Sequence, residues 1–368
     1  MKKELYGTRL YVDFSKLERN INYIKSTQKH SKIIAIVKAN AYGHGDLQIS
    51  KKIETLGVDI FAVADFEEGL ILRDNGIKSS IMVMNPGINN MATILKNKLE
   101  PVIYNYNTLN KLITFSKLAI NSKVQISIHI KINTGMNRWG FDKSEVPELI
   151  RTIKKNQKIK IISIYSHLSS VENKEDDVFT KMQIKNLKKV INEFSASFDY
   201  SIYSHILNSK GTQRFPQILK QFTHSRIGVF LYGCVRNSNL EQVSELRCPI
   251  YQIRQLPLNE AVGYNRSFVS KKKTKIGVVP FGYADGLQRN WGNGKLKFYY
   301  KGCLLPTVGD ISMDSCMVDL TRVKNISIGD EILYFGAERP IWDLASSLNT
   351  IPHEILATLS RRIRRVYF

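Results

Sequence analysis

An eight-stranded (β/α)8 barrel of the TIM-like kind, followed by a mainly β domain, is the architecture that this 368-residue chain predicts. Three observations carry that expectation. From residue 31 to about 230, short apolar runs alternate with longer amphipathic ones, the pattern of repeated strand and helix units around a parallel sheet. Eight such units can be counted, and eight suggest a closed barrel. After Gly233 the texture changes to closely spaced strand and turn signals. The length suits about two domains at roughly 150 residues each.

Arg9 to Phe14 reads as an extra strand ahead of the barrel, and Ser15-Lys-Leu-Glu18 has capping-box spacing for the helix after it. Candidate barrel strands begin near Ile33, Ile60, Ser80, Val102, Val124, Ile159, Ser201 and Thr223. Between them lie helices such as Asp177 to Phe194, where apolar residues recur at helical spacing. Beyond Gly233, strands are expected at Ile276 to Pro280, Leu296 to Tyr300 and Glu331 to Phe335, with one late helix from about Trp342. The domain boundary is set at 235/236.

With 43% apolar residues the chain can fill substantial cores. It has no run of 18 apolar residues, and Met1-Lys-Lys-Glu-Leu-Tyr-Gly7 lacks the apolar stretch of a secretory signal, so a soluble cytoplasmic protein is expected. Cys234, Cys248, Cys303 and Cys316 show no metal-like clustering, and no metal is expected. A net charge of +22 raises nucleic-acid or acidic-membrane binding as a rival function. The lysines are scattered, however, as at Lys154-Lys155 and Lys185 to Lys189, without a nucleic-acid motif, so neither partner is expected. Lys271 to Lys273 reads as a hairpin turn, and Arg361 to Arg365 as the exposed side of a terminal segment.

In a barrel the working residues sit at the carboxyl ends of the strands. Those ends offer Lys38, Asn85, Lys131 with Asn133, His167, His205 with Asn208, and Arg226. Lys38 is the sharpest of them, because it ends an apolar run, Ile33 to Val37, where burying an amine is costly. Partial desolvation would lower its pKa and leave a free-base nitrogen able to form a Schiff base or take a proton. A strand-end lysine can also carry its head to solvent.

Ala35-Ile-Val-Lys-Ala-Asn-Ala-Tyr-Gly-His-Gly45 closely resembles the pyridoxal-phosphate lysine motif of alanine racemases, and similar matches follow along nearly the whole chain. They include His129-Ile-Lys-Ile-Asn-Thr-Gly-Met-Asn-Arg-Trp-Gly140, Ala261-Val-Gly-Tyr-Asn-Arg-Ser-Phe268, Gly282-Tyr-Ala-Asp-Gly286 and Val308-Gly-Asp-Ile-Ser-Met-Asp314. The resemblance implies a cofactor-binding barrel over residues 11–235, and a β domain of residues 236–368 to which the N-terminal strand, residues 1–10, returns. It implies pyridoxal 5'-phosphate as cofactor, Lys38 as its lysine, and Lys38 and Tyr264 as two bases on opposite faces of the substrate.

For the cofactor's phosphate it implies Asn208, Ser209, the backbone of Gly228 and Val229, and Tyr42. His353 stands where the family usually has an entrance tyrosine touching the phosphate. Arg226 would face the ring nitrogen and His167 would pack against the ring. Arg138, the Met313 amide and Tyr283 would bind or admit substrate, and Lys131 corresponds to a lysine that is carbamylated in the family. Asn133 and Asp310 depart from the usual pattern, in which the first is commonly acidic and the second often basic. In the family the tyrosine base comes from the other subunit, which implies a homodimer.

The activity implied is interconversion of L- and D-alanine, supplying D-alanine for bacterial peptidoglycan. Rival readings are a broader racemase acting on serine or basic amino acids, a decarboxylase of the same architecture, and a non-catalytic pyridoxal-phosphate-binding homeostasis protein. The decarboxylase would not explain Tyr264 together with the Met313 motif. The homeostasis proteins resemble the barrel alone.

Overall fold

The computed structural model describes residues 7–118 and 125–368. Residues 1–6 of the expected N-terminal strand, and Val124, the expected start of the fifth barrel strand, lie outside the described residues. Two compact units emerge, one of Ile21–Ala39 with Asp46–Leu231, the other of residues 7–20 with Asn40–Gly45 and Tyr232–Phe368. No described helix is long and apolar enough to cross a membrane.

After strand β1 (Arg9–Val12), the first unit carries eight parallel strands: β2 (Lys32–Ile36), β3 (Ile60–Val63), β4 (Ser80–Val83), β5 (Glu100–Ile103), β6 (Ile126–Lys131), β7 (Ile159–Tyr165), β8 (Tyr203–His205) and β9 (His224–Ile227). Hydrogen-bonded ladders run in the order β8-β7-β6-β5-β4-β3-β2-β9. Helices such as Asp177–Ser195 cover the outside, and strands such as β3 and β9 are buried along their whole length. Covered on both faces, β3 is apolar throughout (Ile60 to Val63), whereas β9 buries the polar His224, Ser225 and Arg226.

The seam between β8 and β9 is closed by different contacts. Thr223 Oγ1 accepts from Ser204 N (2.7 Å) and donates to Ser204 O (3.1 Å). Arg226 N donates to Leu207 O (3.0 Å), and Asn208 and Arg226 form a parallel bridge. Closure therefore falls at the strand ends where Asn208 and Arg226 were singled out.

The second unit holds a nine-stranded sheet. Its strands are β1, β10 (Ser244–Pro249), β11 (Gln252–Leu256), β14 (Thr274–Val279), β15 (Lys297–Tyr300), β16 (Cys303–Val308), β17 (Cys316–Asp319), β18 (Glu331–Phe335) and β19 (Arg364–Tyr367). The order is β11-β14-β17-β16-β15-β18-β10-β1-β19. A two-stranded ribbon, β12 (Ala261–Val262) with β13 (Phe268–Val269), separates β11 from β14 in sequence, and Lys271 to Lys273 lead out of it into β14.

The division differs from the sequence-based boundary. The β1 ladder runs on to Val12, which pairs with both Ser244 and Tyr367, so a cut at residue 11 would split a strand. Asn40–Gly45 also joins the β unit, because Arg365 Nε donates to Gly43 O (3.0 Å) and Tyr367 OH to His44 O (3.0 Å). The late helix is two short ones, Ile341–Ser347 and Pro352–Ala357, since Pro352 starts a helix readily but cannot continue one. The terminal arginines are not simply an exposed face. Arg365 Nη1 donates to the carbonyls of Ser360 and Ile363, and Arg362 bridges Asp285 (2.6 Å) and Asp314 (2.8 Å).

His44 is fully buried and stacked on Tyr232, with ring centroids 4.5 Å apart. Its Nδ1 lies 2.9 Å from Ala41 O, which can only accept, so Nδ1 carries the proton and Nε2 accepts from Ser244 Oγ (2.9 Å). Burial pushes its pKa down to about 4. Its neutral form thus stabilises the fold fully above pH ~6.5, and that contribution is lost as pH falls through about 4, a difference of ~3 kcal/mol. Urea unfolding of the parent and of His44→Gln between pH 7 and 4 should show the parent losing stability more steeply. Parallel curves would contradict this.

Candidate active site

Lys38 follows β2 by one residue and opens the span Lys38–Tyr42. That span is left-handed. Ala39, Asn40, Ala41 and Tyr42 have φ of 52°, 55°, 51° and 52°. For L-residues this costs roughly 1–2 kcal/mol each. Gly43 continues it at φ 76°, where a Cβ would come within 2.1 Å of Leu356 O. Glu68 anchors the start of the turn: its Oε1 accepts from Ala39 N (2.6 Å), and its Oε2 from Ala64 N (2.7 Å). Burial, then Arg138 and, more weakly, Arg226, lower the pKa of Lys38 against the opposing pull of Glu68. The amine is shifted toward its free-base form.

Arg226, in β9, is 2% exposed. Its Nη1 donates to His205 Nδ1 (2.6 Å), and its Nη2 to Ser166 O (2.8 Å), His167 Nδ1 (2.9 Å) and Ile206 O (3.1 Å). All four acceptors are uncharged. Burial pushes its pKa down to about 10, which still leaves it charged at neutral pH. Burial, reinforced by Arg226, holds His167 and His205 well below the ordinary imidazole range. With His167 Nδ1 accepting, its proton sits on Nε2, away from the arginine.

Lys131 ends β6, buried, with its ammonium 5.4 Å from the Trp139 ring centroid and 5.6 Å from that of Tyr165. Burial, Arg226, Arg138 and Lys38 together push its pKa down to about 8. Every group named there is a cation. Arg138 lies over Trp139 at 5.3 Å, on a loop knitted by Asn133. Asn133 Oδ1 accepts from Gly135 N (3.1 Å) and Asn137 N (3.0 Å), while its Nδ2 donates to Asp142 Oδ1 (2.9 Å). The amide that replaces a carboxylate here thus has a structural use.

At the closing seam, Asn208 caps the helix Ser209–Arg214 by accepting from Gly211 N (2.8 Å), and Ser209 Oγ accepts from Gly228 N (3.0 Å). Val229 follows, buried. Asn85, also offered by the strand ends, accepts from Tyr104 OH (3.1 Å).

In the β unit, Tyr42 and His353 lie with ring centroids 5.5 Å apart, and burial pushes the Tyr42 phenol up to about 12. Tyr264 is 69% exposed on the turn between β12 and β13. It lines a cavity of about 540 Å³ with Arg254, Glu260, Ser312 and Met317. Tyr283 and Met313 are also exposed, and Ala284 N donates to Met313 O (3.0 Å). Asp310 accepts from Asn293 Nδ2 (3.0 Å), and its own N–H donates to Ser267 Oγ (3.0 Å), tethering the Tyr264 turn.

Residues 12–236 match the family model for the alanine racemase N-terminal domain, and residues 243–367 that for the alanine racemase C-terminal domain. The chain belongs to the alanine racemase family. An alanine racemase of Thermodesulfovibrio yellowstonii is 34% identical over 100% of this chain and 97% of that protein. The solved alanine racemase of Clostridium difficile 630 is 30% identical, with a TM-score of 0.90, covering 100% and 97% of the two chains. That of Bartonella henselae, solved with covalently bound pyridoxal phosphate, is 28% identical, with a TM-score of 0.88, covering 99% and 100%.

Alanine racemases are pyridoxal-phosphate-dependent isomerases, and the barrel's donor set suits such a group. Lys38, Lys131, Arg138 and Arg226 act on one another, while both oxygens of Glu68 are occupied by backbone N–H groups. This excess of positive charge suits an anionic, phosphorylated ligand. The described barrel unit brings together Lys38, Lys131, Arg138, His167 and Arg226. Sequence reasoning singled out His205 without giving it a role, and it missed Glu68, Ser163 and Glu100. The signal available for Ser163 was its i, i+2 spacing from Tyr165, which puts both on one face of a strand.

Proposed function

We propose that this chain interconverts L- and D-alanine with Lys38 as the base for the D-enantiomer and Tyr264 as the base for the L-enantiomer. The observation that carries this is Lys38, an amine shifted toward its free base at a barrel mouth rich in cations. Pyridoxal phosphate supplies an electron sink that makes the α-proton of alanine acidic. Arg226 would face the ring nitrogen and, being charged and donor-only, would keep a proton off it. That weakens the sink and favours return of the proton to the α-carbon. His167 would pack against the ring. Asn208, Ser209 and the backbone of Gly228 and Val229 would hold the phosphate, a part the family resemblance also gives to Tyr42 and His353.

The barrel unit, Ile21–Ala39 with Asp46–Leu231, is the cofactor-binding domain, and the β unit supplies Tyr264, Tyr283 and Met313. All three are exposed in a single chain, which supports a homodimer whose β domain completes the partner's site. Arg138 and the Met313 amide bind the substrate carboxylate, and Tyr283 stands at the entrance. The enzyme acts in the cytoplasm, and its product supplies peptidoglycan synthesis.

Lys38→Ala and Tyr264→Phe should each lose ~10²–10⁴ in rate. Co-refolding the two inactive variants should restore activity to about a quarter of the parent's sites, since half of the dimers are mixed and each has one intact site. If no activity returns, Tyr264 does not serve the partner's site.

Lys131 takes the carbamylated position. Its depressed pKa leaves a free amine able to add carbon dioxide, and the cations around it would stabilise the resulting anion. Lys131→Ala should slow turnover roughly tenfold, about 1.4 kcal/mol of transition-state stabilisation. Added acetate should recover part of the rate. Full activity in bicarbonate-free buffer, with no mass increase on Lys131, would oppose this reading.

A further inference from the structure

A chain of hydrogen bonds crosses the barrel interior from Arg226. His205, whose Nδ1 accepts from the arginine, places Nε2 3.1 Å from Ser163 Oγ. Ser163 Oγ lies 2.7 Å from His129 Nδ1, and His129 Nε2 lies 2.9 Å from Glu100 Oε2. Ser80 Oγ donates to Glu100 Oε1 (2.9 Å). The six residues come from six strands, β9, β8, β7, β6, β5 and β4. His129, Ser163 and His205 are all buried.

The chemistry of the ends, with His129 neutral, sets the direction of every link. A guanidinium has donors and no acceptor, so His205 Nδ1 is bare and its proton is on Nε2, donating to Ser163. From the other end, ionised Glu100 accepts from His129 Nε2–H, and with His129 in its neutral form its bare Nδ1 takes the Ser163 hydroxyl proton, so that Ser163 Oγ accepts from His205 Nε2. An ionised carboxylate only accepts. Burial alone would raise the Glu100 carboxyl, but the hydrogen bonds from His129 and Ser80 reverse that and hold it below its ordinary value. Glu100 borders a depression of about 520 Å³ lined also by Arg73, Lys78 and Lys98. The negative end of the chain therefore lies remote from Arg226, with two imidazoles and a hydroxyl between.

The geometry points to Glu100, His129 and Ser163 as positioning residues that fix the tautomer of His205 and so hold Arg226 in place against the cofactor's ring nitrogen. This rests on the role given to Arg226 above. A proton on His205 Nδ1 would set two donors against each other at 2.6 Å, and Arg226 would have to move. A carboxylate placed directly on Arg226 would hold it equally well but would cancel its charge. The relay orients the arginine through neutral groups.

The test uses the full chain carrying ¹⁵N-labelled histidine, first without cofactor and then as holoenzyme. Nitrogen spectra near neutral pH should show His205 and His129 both neutral with the proton on Nε2. Ser163→Ala should turn the His205 signal into a tautomer mixture and lower kcat about tenfold with KM for alanine nearly unchanged, and Ser163→Thr should restore both. A His205 proton on Nδ1, or a charged ring at either position in the parent, overturns the relay. So does a Ser163→Ala variant that is less stable but keeps the parent's spectrum. Because the cofactor-free spectrum judges the relay alone, its failure leaves the reading of Arg226 standing. A relay present in the spectra, with kcat unchanged when it is cut, overturns the positioning role, while Arg226 remains held by Ser166 O, His167 Nδ1 and Ile206 O.

Discussion

A guanidinium buried among uncharged acceptors is the constraint on which the barrel's chemistry depends. Arg226 touches two imidazole nitrogens and two carbonyls, and its charge contributes to the depressed pKa values of Lys38, Lys131, His167 and His205. Its backbone N–H also helps close the barrel between β8 and β9. A lysine there would shed its proton under comparable burial, whereas arginine stays charged. One side chain thus keeps a fixed positive charge at the strand ends while the imidazoles of His167 and His205 beside it are held neutral. A ligand with anionic groups and a basic ring nitrogen is the natural complement to that field.

Backbone strain is the second cost of this site. Four consecutive non-glycine residues after Lys38 adopt left-handed φ values, about 4–8 kcal/mol in total. Such strain persists where the surroundings over-determine it. Here Glu68 holds Ala39 N, Arg365 holds Gly43 O, and Tyr367 holds His44 O. The turn begins immediately after the lysine, so anchoring it also limits where the root of the Lys38 side chain can go.

Much of this was legible in the chain. Alternating apolar and amphipathic runs announce the barrel, whereas Lys38, Arg138, Arg226 and Tyr264 take their roles from resemblance to family motifs, since a strand-end lysine, an arginine or a strand tyrosine has an ordinary structural explanation by itself. The unit to which Asn40–Gly45 belongs was not legible, because four left-handed residues run against local propensity and are held by contacts more than 300 residues away in sequence. Nor was the path from Arg226 to Glu100. Each of its members is an ordinary polar residue within or at the edge of an apolar strand, and only the sheet order reveals that successive strands place them within hydrogen-bonding reach. The departures at Asn133 and Asp310 likewise gained meaning from structure, as anchors for the Arg138 loop and the Tyr264 turn.

The central claim is that Arg226, still charged, holds the cofactor's ring nitrogen unprotonated. Loading the protein with pyridoxal phosphate labelled with ¹⁵N in the ring tests it most directly, because protonation moves that nitrogen's resonance strongly. The account predicts the position of an unprotonated pyridine that accepts a hydrogen bond, unchanged across neutral pH. A resonance at the position of a protonated pyridinium would contradict it.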